Sequence, residues 1–403
     1  MTKLWRTQRL TQLRGFLGLF AVLACGWLII SVANPWTVSL LILALYYSIG
    51  GLSFNFLFGS LGMFSLAQPV FIAVGGYTSV YLYNTYGVSP WISLLIAPVL
   101  AVLVALPIAL VATRIGGGAV ITALVTLIVA EAATPILIAI TPLGSAVGLF
   151  SNSPAHITFS AMQFASGADF ARIFLMLNVL IIGFWMWWKR SRFGMFATAI
   201  KDAPEAAESA GIATARLRLG VFLISAAIAA PAGVVYAQYF LLTSPDLFLG
   251  SLALFQILVV ALVGGATRPW GTLAAAILIT YVTQEASNLS NSNPGATQLT
   301  FAAIFLVMAL VAPRGLTGTW DLIKQRRSPV QSGGLLSIRI PASASSRMSD
   351  GVVDAGEVQI QSDTVQPKQV PADETRTEVR SLSQTTSSYI APIVIQDQQE
   401  DCK

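Results

Sequence analysis

Ten apolar runs recur along the first three quarters of the chain, at about 16–33, 35–59, 66–83, 91–113, 119–140, 173–188, 219–241, 252–266, 271–284 and 299–313. A helix needs about 20 apolar residues to cross the hydrocarbon core of a bilayer, and most of these runs reach that length once their ends are extended. Of the 403 residues, 55% are hydrophobic and 10% charged, against about 25% charged in a typical soluble domain. So few charges cannot cover so much apolar surface with water-facing groups, and lipid is the solvent that accepts it. Inside lipid the backbone must satisfy its own hydrogen bonds, which runs of this length do as helices. The expected fold is all-α, a polytopic transmembrane helix bundle of about ten spans within residues 1–327.

Charge sets the expected path through the membrane. The net charge of +5 is a composite: residues 1–327 hold 17 Lys and Arg against 8 Asp and Glu, and residues 328–403 hold 6 against 10. The basic part is the membrane part, so the positive balance points to a bilayer surface and not to nucleic acid. Lys3, Arg6, Arg9 and Arg14 precede the first run, which places the N-terminus in the cytoplasm. With ten spans, Arg114, the basic residues of 189–218, Arg268 and Arg314 all fall inside. The outer loops at 34, 84–90, 141–171, 242–251 and 285–298 carry no Lys or Arg, with Arg172 at the edge of one. Merging the runs at 252–266 and 271–284, which Arg268 and Pro269 divide, would put the following loop on the wrong side. Both ends are therefore expected to be cytoplasmic. The first run, with Ser31-Val32-Ala33, has the look of a secretory signal, but it is long and further spans follow at once, so it is read as an uncleaved span.

The tail 328–403 is rich in Ser, Thr, Gln, Asp and Val, mixes both charges and has no sustained apolar period; it is expected to be a disordered cytoplasmic extension. The outward loop 141–171 is polar and lacks helical period, either a contact for an external partner or a solvated connector.

Several chemistries are excluded. Cys25 and Cys402 are far apart, and His156 is the one histidine, so neither a disulfide framework nor a metal-binding spacing exists. No Gly-Lys dipeptide occurs, hence no P-loop. No Ser/His/Asp or His/Glu constellation shares a face. The chain is expected to be no enzyme and to hold no cofactor or metal. A proton-coupled carrier would need a chain of intramembrane ionisable groups; Glu131 stands alone, so energy for uphill transport must come from elsewhere.

Three features remain. In 189–218, Lys189, Arg190 and Arg192 close one span. Phe193, Phe196 and Ile200 then fall at helical spacing. Asp202-Ala203-Pro204-Glu205 carries a helix-start pattern, with Asp202 as cap and Glu205 at the capping-box position. A short helix Ala203–Ala210 follows, stopped by Gly211. Ala206, Ala207 and Ala210 would let another protein's backbone approach closely; an ordinary interfacial amphipathic helix fits equally. In 50–76, Gly50, Gly51, Gly59, Gly62, Gly75 and Gly76 accompany Asn55, Ser65, Gln68 and Pro69. This density suits either a partly re-entrant element beside a transport pathway or close helix packing through small residues. Third, Glu131 sits within an apolar run. An ionised carboxylate at mid-bilayer costs roughly 2.5–3.5 kcal/mol, so it is expected to face the bundle interior, be protonated or meet a donor.

These residues resemble a known family. The run from Gly51 to Gln68 (GLSFNFLFGSLGMFSLAQ), Thr122 to Glu131 (TALVTLIVAE), Arg190-Ser-Arg-Phe-Gly194 and Ala199 to Gly211 (AIKDAPEAAESAG) are similar to segments of branched-chain amino acid ATP-binding-cassette importer permeases, M-type. So are Leu262 to Gly271 and Ala312 to Leu316, the resemblance covering about 40–320. Gln68 stands where the family usually carries His. The resemblance implies an ATPase-coupling segment at Arg192, Gly194, Lys201, Asp202, Glu205, Ala206, Ala207 and Gly211. It implies a translocation pathway near Gly51, Asn55, Gly62, Ser65, Gln68 and Glu131. It also implies a second permease subunit, two cytoplasmic ABC ATPase subunits that hydrolyse the ATP, and a periplasmic or extracellular solute-binding protein, in a bacterial inner membrane. Urea, amides or another small polar solute are alternative cargoes, and an ion-coupled secondary transporter is the rival class.

Overall fold

The computed structural model describes residues 18–114, 118–152, 159–266 and 268–289. These are overwhelmingly helical. In chain order the helices are α1 (Gly18–Val32), α2 (Pro35–Leu61), α3 (Gln68–Tyr86), α4 (Pro90–Arg114), α5 (Gly118–Ala139), α6 (Gly167–Trp188), α7 (Arg192–Asp202), α8 (Pro204–Ser209), α9 (Thr214–Phe240), α10 (Pro245–Leu249), α11 (Ser251–Gly264) and α12 (Pro269–Leu289). Extended structure among the described residues is one short antiparallel pair, β1 (Leu149–Phe150) with β2 (Leu242–Thr243). The expected all-α bundle is what forms.

Two helices organise it. α9 packs against α3, α4, α2 and α6, while α2 packs against α12, α6, α9 and α11. Neither has a polar face of its own, and most of each is buried. Where α2 meets α9, Tyr46 stacks on Tyr236 with ring centroids 4.1 Å apart. At two points where α3 meets α9 there is no room for a side chain. A Cβ placed on Gly75 would lie 2.0 Å from the Ala230 carbonyl oxygen, and one on Gly233 would lie 1.8 Å from that of Ile72. Small residues let two backbones touch, which is how helices associate without a hydrophobic driving force.

Six helical stretches are long and apolar enough to span a membrane: Pro35–Leu61, Pro90–Arg114, Ala119–Ala139, Gly167–Trp188, Thr214–Phe240 and Pro245–Gly264. Helices also occupy three of the other expected places. α1 as described is short, while α3 and α12 are diluted by Gln, Thr, Tyr and Glu side chains. The tenth expected span, at 299–313, and the tail 328–403 lie outside the described residues, as does His156. The count of about ten therefore rests on charge asymmetry, with six met by length and apolarity. The pair at 252–284 is a helical hairpin: Val259, Val260 and Val263 of α11 cluster with Ala275, Ala276 and Ile279 of α12.

The bundle has two chemically different ends. At one, Lys201 reaches the Gly59 carbonyl, and Lys189, Lys201 and Arg268 lie near one another. At the other, α3 and the 141–166 connector are tied by polar groups. Asn84 donates to the Phe150 carbonyl (2.7 Å) and accepts from the Asn152 N–H (2.9 Å), and Ser89 donates to the Ser160 carbonyl. These are called below the basic end and the polar end.

Candidate functional site

The segment 189–211 folds as two short helices set at a bend, as its residues suggest. Ser191 caps α7, its hydroxyl accepting from the Gly194 N–H at 3.1 Å. Gly194 is needed there, since a Cβ would fall 2.2 Å from the Trp188 carbonyl oxygen. Gly194, Ala197 and Ile200 form the buried stripe of α7, whereas Arg192, Phe193, Met195 and Phe196 are exposed. The expected cap differs. Asp202 is the last residue of α7, and the N-cap position of α8 falls on Ala203, whose side chain makes no cap bond. The bend comes one residue later because α7 continues through Asp202 up to the extended Ala203. Pro204 and Glu205 do occupy the first turn of α8, and Gly211 takes the left-handed conformation at φ +81°. Of the three alanines expected to face outward, Ala206 and Ala210 do. Ala207 is buried against the chain's own α9 side, where its carbonyl accepts from Ile212.

This knuckle is wired to the bundle. The Lys201 ammonium donates to the Gly59 carbonyl at 3.1 Å, in the last turn of α2. Glu208 accepts from Thr214 at 2.6 Å, joining α8 to the start of α9. Burial, then the neighbouring charges of Lys201 and Arg268, hold the Lys189 ammonium below its ordinary pKa, so the basic end is crowded with cations.

The glycine-rich stretch 50–76 divides into two kinds of structure. α2 runs unbroken through Gly50, Gly51 and Gly59, so these do not loosen it. They are contact points, with Gly50 under Ile257, Gly51 under Thr272 and Val260, and Gly59 against the Ala266 carbonyl. Asn55 belongs to the same seam, donating to the Ala261 carbonyl (2.8 Å) and to Thr272 Oγ1 (2.9 Å). The irregular part is confined to 62–67. Gly62, at φ +70°, ends α2 at the basic end beside Lys201, and the chain then turns back into the bundle as an irregular, largely buried strip. Leu66 N–H reaches Thr126 Oγ1 at 2.9 Å, about two turns into α5. Gln68 Nε2 reaches Ser225 Oγ at 3.1 Å, about three turns into α9. Ser225 also exchanges hydrogen bonds with Ser53, at 2.7 and 2.9 Å. Ser65 and Gln68 are almost fully buried, and Gln68 Oε1 finds no partner among the described residues. A buried amide oxygen left unpaired in an apolar bundle is costly, which marks this junction of α2, α3 and α9 as more than packing.

Glu131 is not in the interior. It lies on the exposed side of α5, the span with the least of its surface covered by its own chain. The cost of a carboxylate in lipid led to the expectation that it faces the bundle interior, is protonated or meets a donor, but α5 sits at the edge of the bundle and its Glu131 side is not covered by this chain. Its uncovered positions follow the spacing Ile121, Leu124, Ile128, Glu131, Pro135 and Ile138, the three-and-four rhythm of a helix seam. The structure thus gathers Gln68 with Ser53 and Ser225, leaves Ser65 bonded to the Ala67 N–H within the strip, sets Gly51 and Asn55 between α2, α11 and α12, puts Gly62 beside Lys201, and leaves Glu131 on a separate face. Ser53 and Ser225 were missed; their serine-in-helix pattern carries no sign that they meet.

A bundle with six helical stretches long and apolar enough to span a membrane defines a multi-pass membrane protein. Residues 36–311 match the family model described as the branched-chain amino acid transport system / permease component, and the chain belongs to that family. It is 27% identical over 323 residues to the high-affinity branched-chain amino acid transport system permease protein LivM of Escherichia coli (strain K12), covering 75% of this chain and 74% of that protein. It is 26% identical to the LivM of Salmonella typhimurium, covering 72% and 73%. It is 25% identical to the probable branched-chain amino acid transport permease protein LivH of Methanocaldococcus jannaschii, covering 65% and 85%. No solved structure matches it.

Proposed function

We infer that this permease component carries branched-chain amino acids inward across the inner membrane, driven by ATP that partner subunits hydrolyse. The substrate class comes from the printed names of the LivM and LivH relatives. The mechanism is supported above all by the Lys201–Gly59 contact. It joins the protruding α7–α8 knuckle to the end of α2, where the buried strip 62–67 begins.

On this reading the basic end is cytoplasmic and both chain termini lie there. Arg192, Gly194, Lys201, Asp202, Glu205, Ala206, Ala207 and Gly211 form the segment gripped by one of two ATPases. Closure of the ATPase pair pushes α8, α7 passes the displacement through Lys201 to α2, and the strip carrying Gly62, Ser65 and Gln68 shifts between its partners on α5 and α9. The α5 stripe bearing Glu131 is the seam with a second, homologous permease subunit. A carboxylate in mid-bilayer avoids lipid, and a shared seam offers it either that subunit or a wet solute path. Gly51 and Asn55 serve the pathway by holding α2 on the α11–α12 hairpin. Solute arrives from an extracytoplasmic binding protein at the polar end.

The test is reconstitution of the complete complex with the chain carrying Glu205→Arg or Gly211→Trp. Both variants are expected in the membrane with uptake lost while ATP hydrolysis persists. Unchanged uptake in both would overturn the coupling role, and uptake driven by an ion gradient without ATP would overturn the mechanism.

A further inference from the structure

A slot of about 720 Å³ separates α5 from α3 and α4, within the size range of small-molecule sites. Its α3 wall runs from Val70 to Tyr86, about 24 Å at 1.5 Å per residue, close to the roughly 30 Å of a hydrocarbon core. The slot is apolar along that length: Val70, Ala73, Ile108 and Val129 wall it toward the basic end, and Leu82, Leu100, Ile136 and Leu137 toward the polar end, where Tyr81 and Tyr86 add hydroxyls. Tyr77 is buried, and its hydroxyl has no partner among the described residues. No charged side chain lines the slot.

That lining chooses the ligand. An amino acid zwitterion would leave both charges unpaired here, at a prohibitive desolvation cost. A long apolar chain fits this lining, and Tyr81 and Tyr86, toward the polar end, are of the residue type enriched at the membrane–water interface. α5 itself touches its own chain sparsely, through α4, α10 and α3, so the slot stands where helix–helix packing would otherwise be. We propose that it is a binding site for one acyl chain of a phospholipid in the leaflet at the polar end, with the ester region at the tyrosines. The seated chain supplies the packing that α5 lacks on this side and leaves the Glu131 stripe free on the other.

The test uses the full chain purified in mild detergent with phosphatidylethanolamine added, read by native mass spectrometry. The wild type is expected to retain one phospholipid. Ala133→Phe fills the slot from α5 and should lower retention at least about tenfold, the effect of excluding two methylenes. Ala133→Leu, a milder filling, should lower it less, with unchanged thermal unfolding in both showing that the fold survives. Ile128→Phe, on the outward stripe, should leave retention as in the wild type. Equal retention in the filled variants would overturn the site. So would displacement of the lipid by glycerophosphoethanolamine, which has the headgroup and no acyl chain. Cross-linking of Val104→Cys to a co-purified second permease would also overturn it, since the slot would then be a protein seam.

Discussion

At Gly233 an added Cβ would meet the Ile72 carbonyl oxygen at 1.8 Å, whereas at Gly211 it would meet nothing within 4 Å. The two glycines are required for different reasons, and substitutions should separate them. Gly233→Leu forces α3 and α9 apart and is expected to cost about 3 kcal/mol or more, read as a lowered unfolding temperature in detergent. Gly211→Ala meets only the strain of its positive φ, about 1–2 kcal/mol, confined to the knuckle and invisible in global unfolding. Asn55→Leu loses two interhelical hydrogen bonds, and at about 0.6 kcal/mol each in a membrane should lower stability by about 1 kcal/mol in a denaturant titration. The sequence shows that glycines crowd 50–76. It does not show that Gly50, Gly51 and Gly59 sit inside a straight helix while Gly62 alone breaks it, because glycine serves both purposes and the deciding neighbours, Ile257, Thr272 and Ala266, are some two hundred residues away. Glu131 shows the same limit. Its intramembrane place is legible, but which way it faces depends on how little of the bundle covers α5.

Among the elements, α7 and α8 were the most legible as helices, because local signals govern short surface helices: Pro204 in a first turn, Gly211 after the last. The buried face of α7 was not, since of Phe193, Phe196 and Ile200 only Ile200 is buried, and Gly194 and Ala197 complete the stripe instead. The error of one residue at Asp202 arose because a cap-type side chain also tolerates a helix C-terminus. The wiring was not legible, since a lysine in an interfacial helix says nothing of a carbonyl on another span. Lys201→Met removes that hydrogen bond while keeping the apolar stem. In the reconstituted complex it is expected to lower uptake per ATP hydrolysed several-fold while leaving the chain's thermal unfolding within about 0.5 kcal/mol of wild type, as for exposed polar groups generally. A drop in ATP hydrolysis with an unchanged ratio would instead place Lys201 in ATPase docking. The serine pair Ser53–Ser225 belongs to this scale too: each hydroxyl bonds the other helix's carbonyl, which ties α2 to α9.

For the molecule as a whole, composition and charge alone were enough for fold class, because the bilayer admits so few architectures. The hairpin at 252–284 likewise follows from keeping Arg268 on the basic side, and the structure folds it so. Sidedness is checked by reporter tags placed at 203–205 and at 145–147: the first is expected to be protected from external reagent in intact cells and the second accessible. The β1–β2 pair carries one more consequence. Gly148 packs so tightly on the Thr243 carbonyl that a Cβ would lie 2.0 Å away, and the strap ties the connector after α5 to the link between α9 and α10. A rod buckled at its upper rim and pushed at its lower rim pivots; it does not slide. Force delivered to the knuckle should therefore splay the spans fan-wise, parting them at the basic end while the polar end stays clasped.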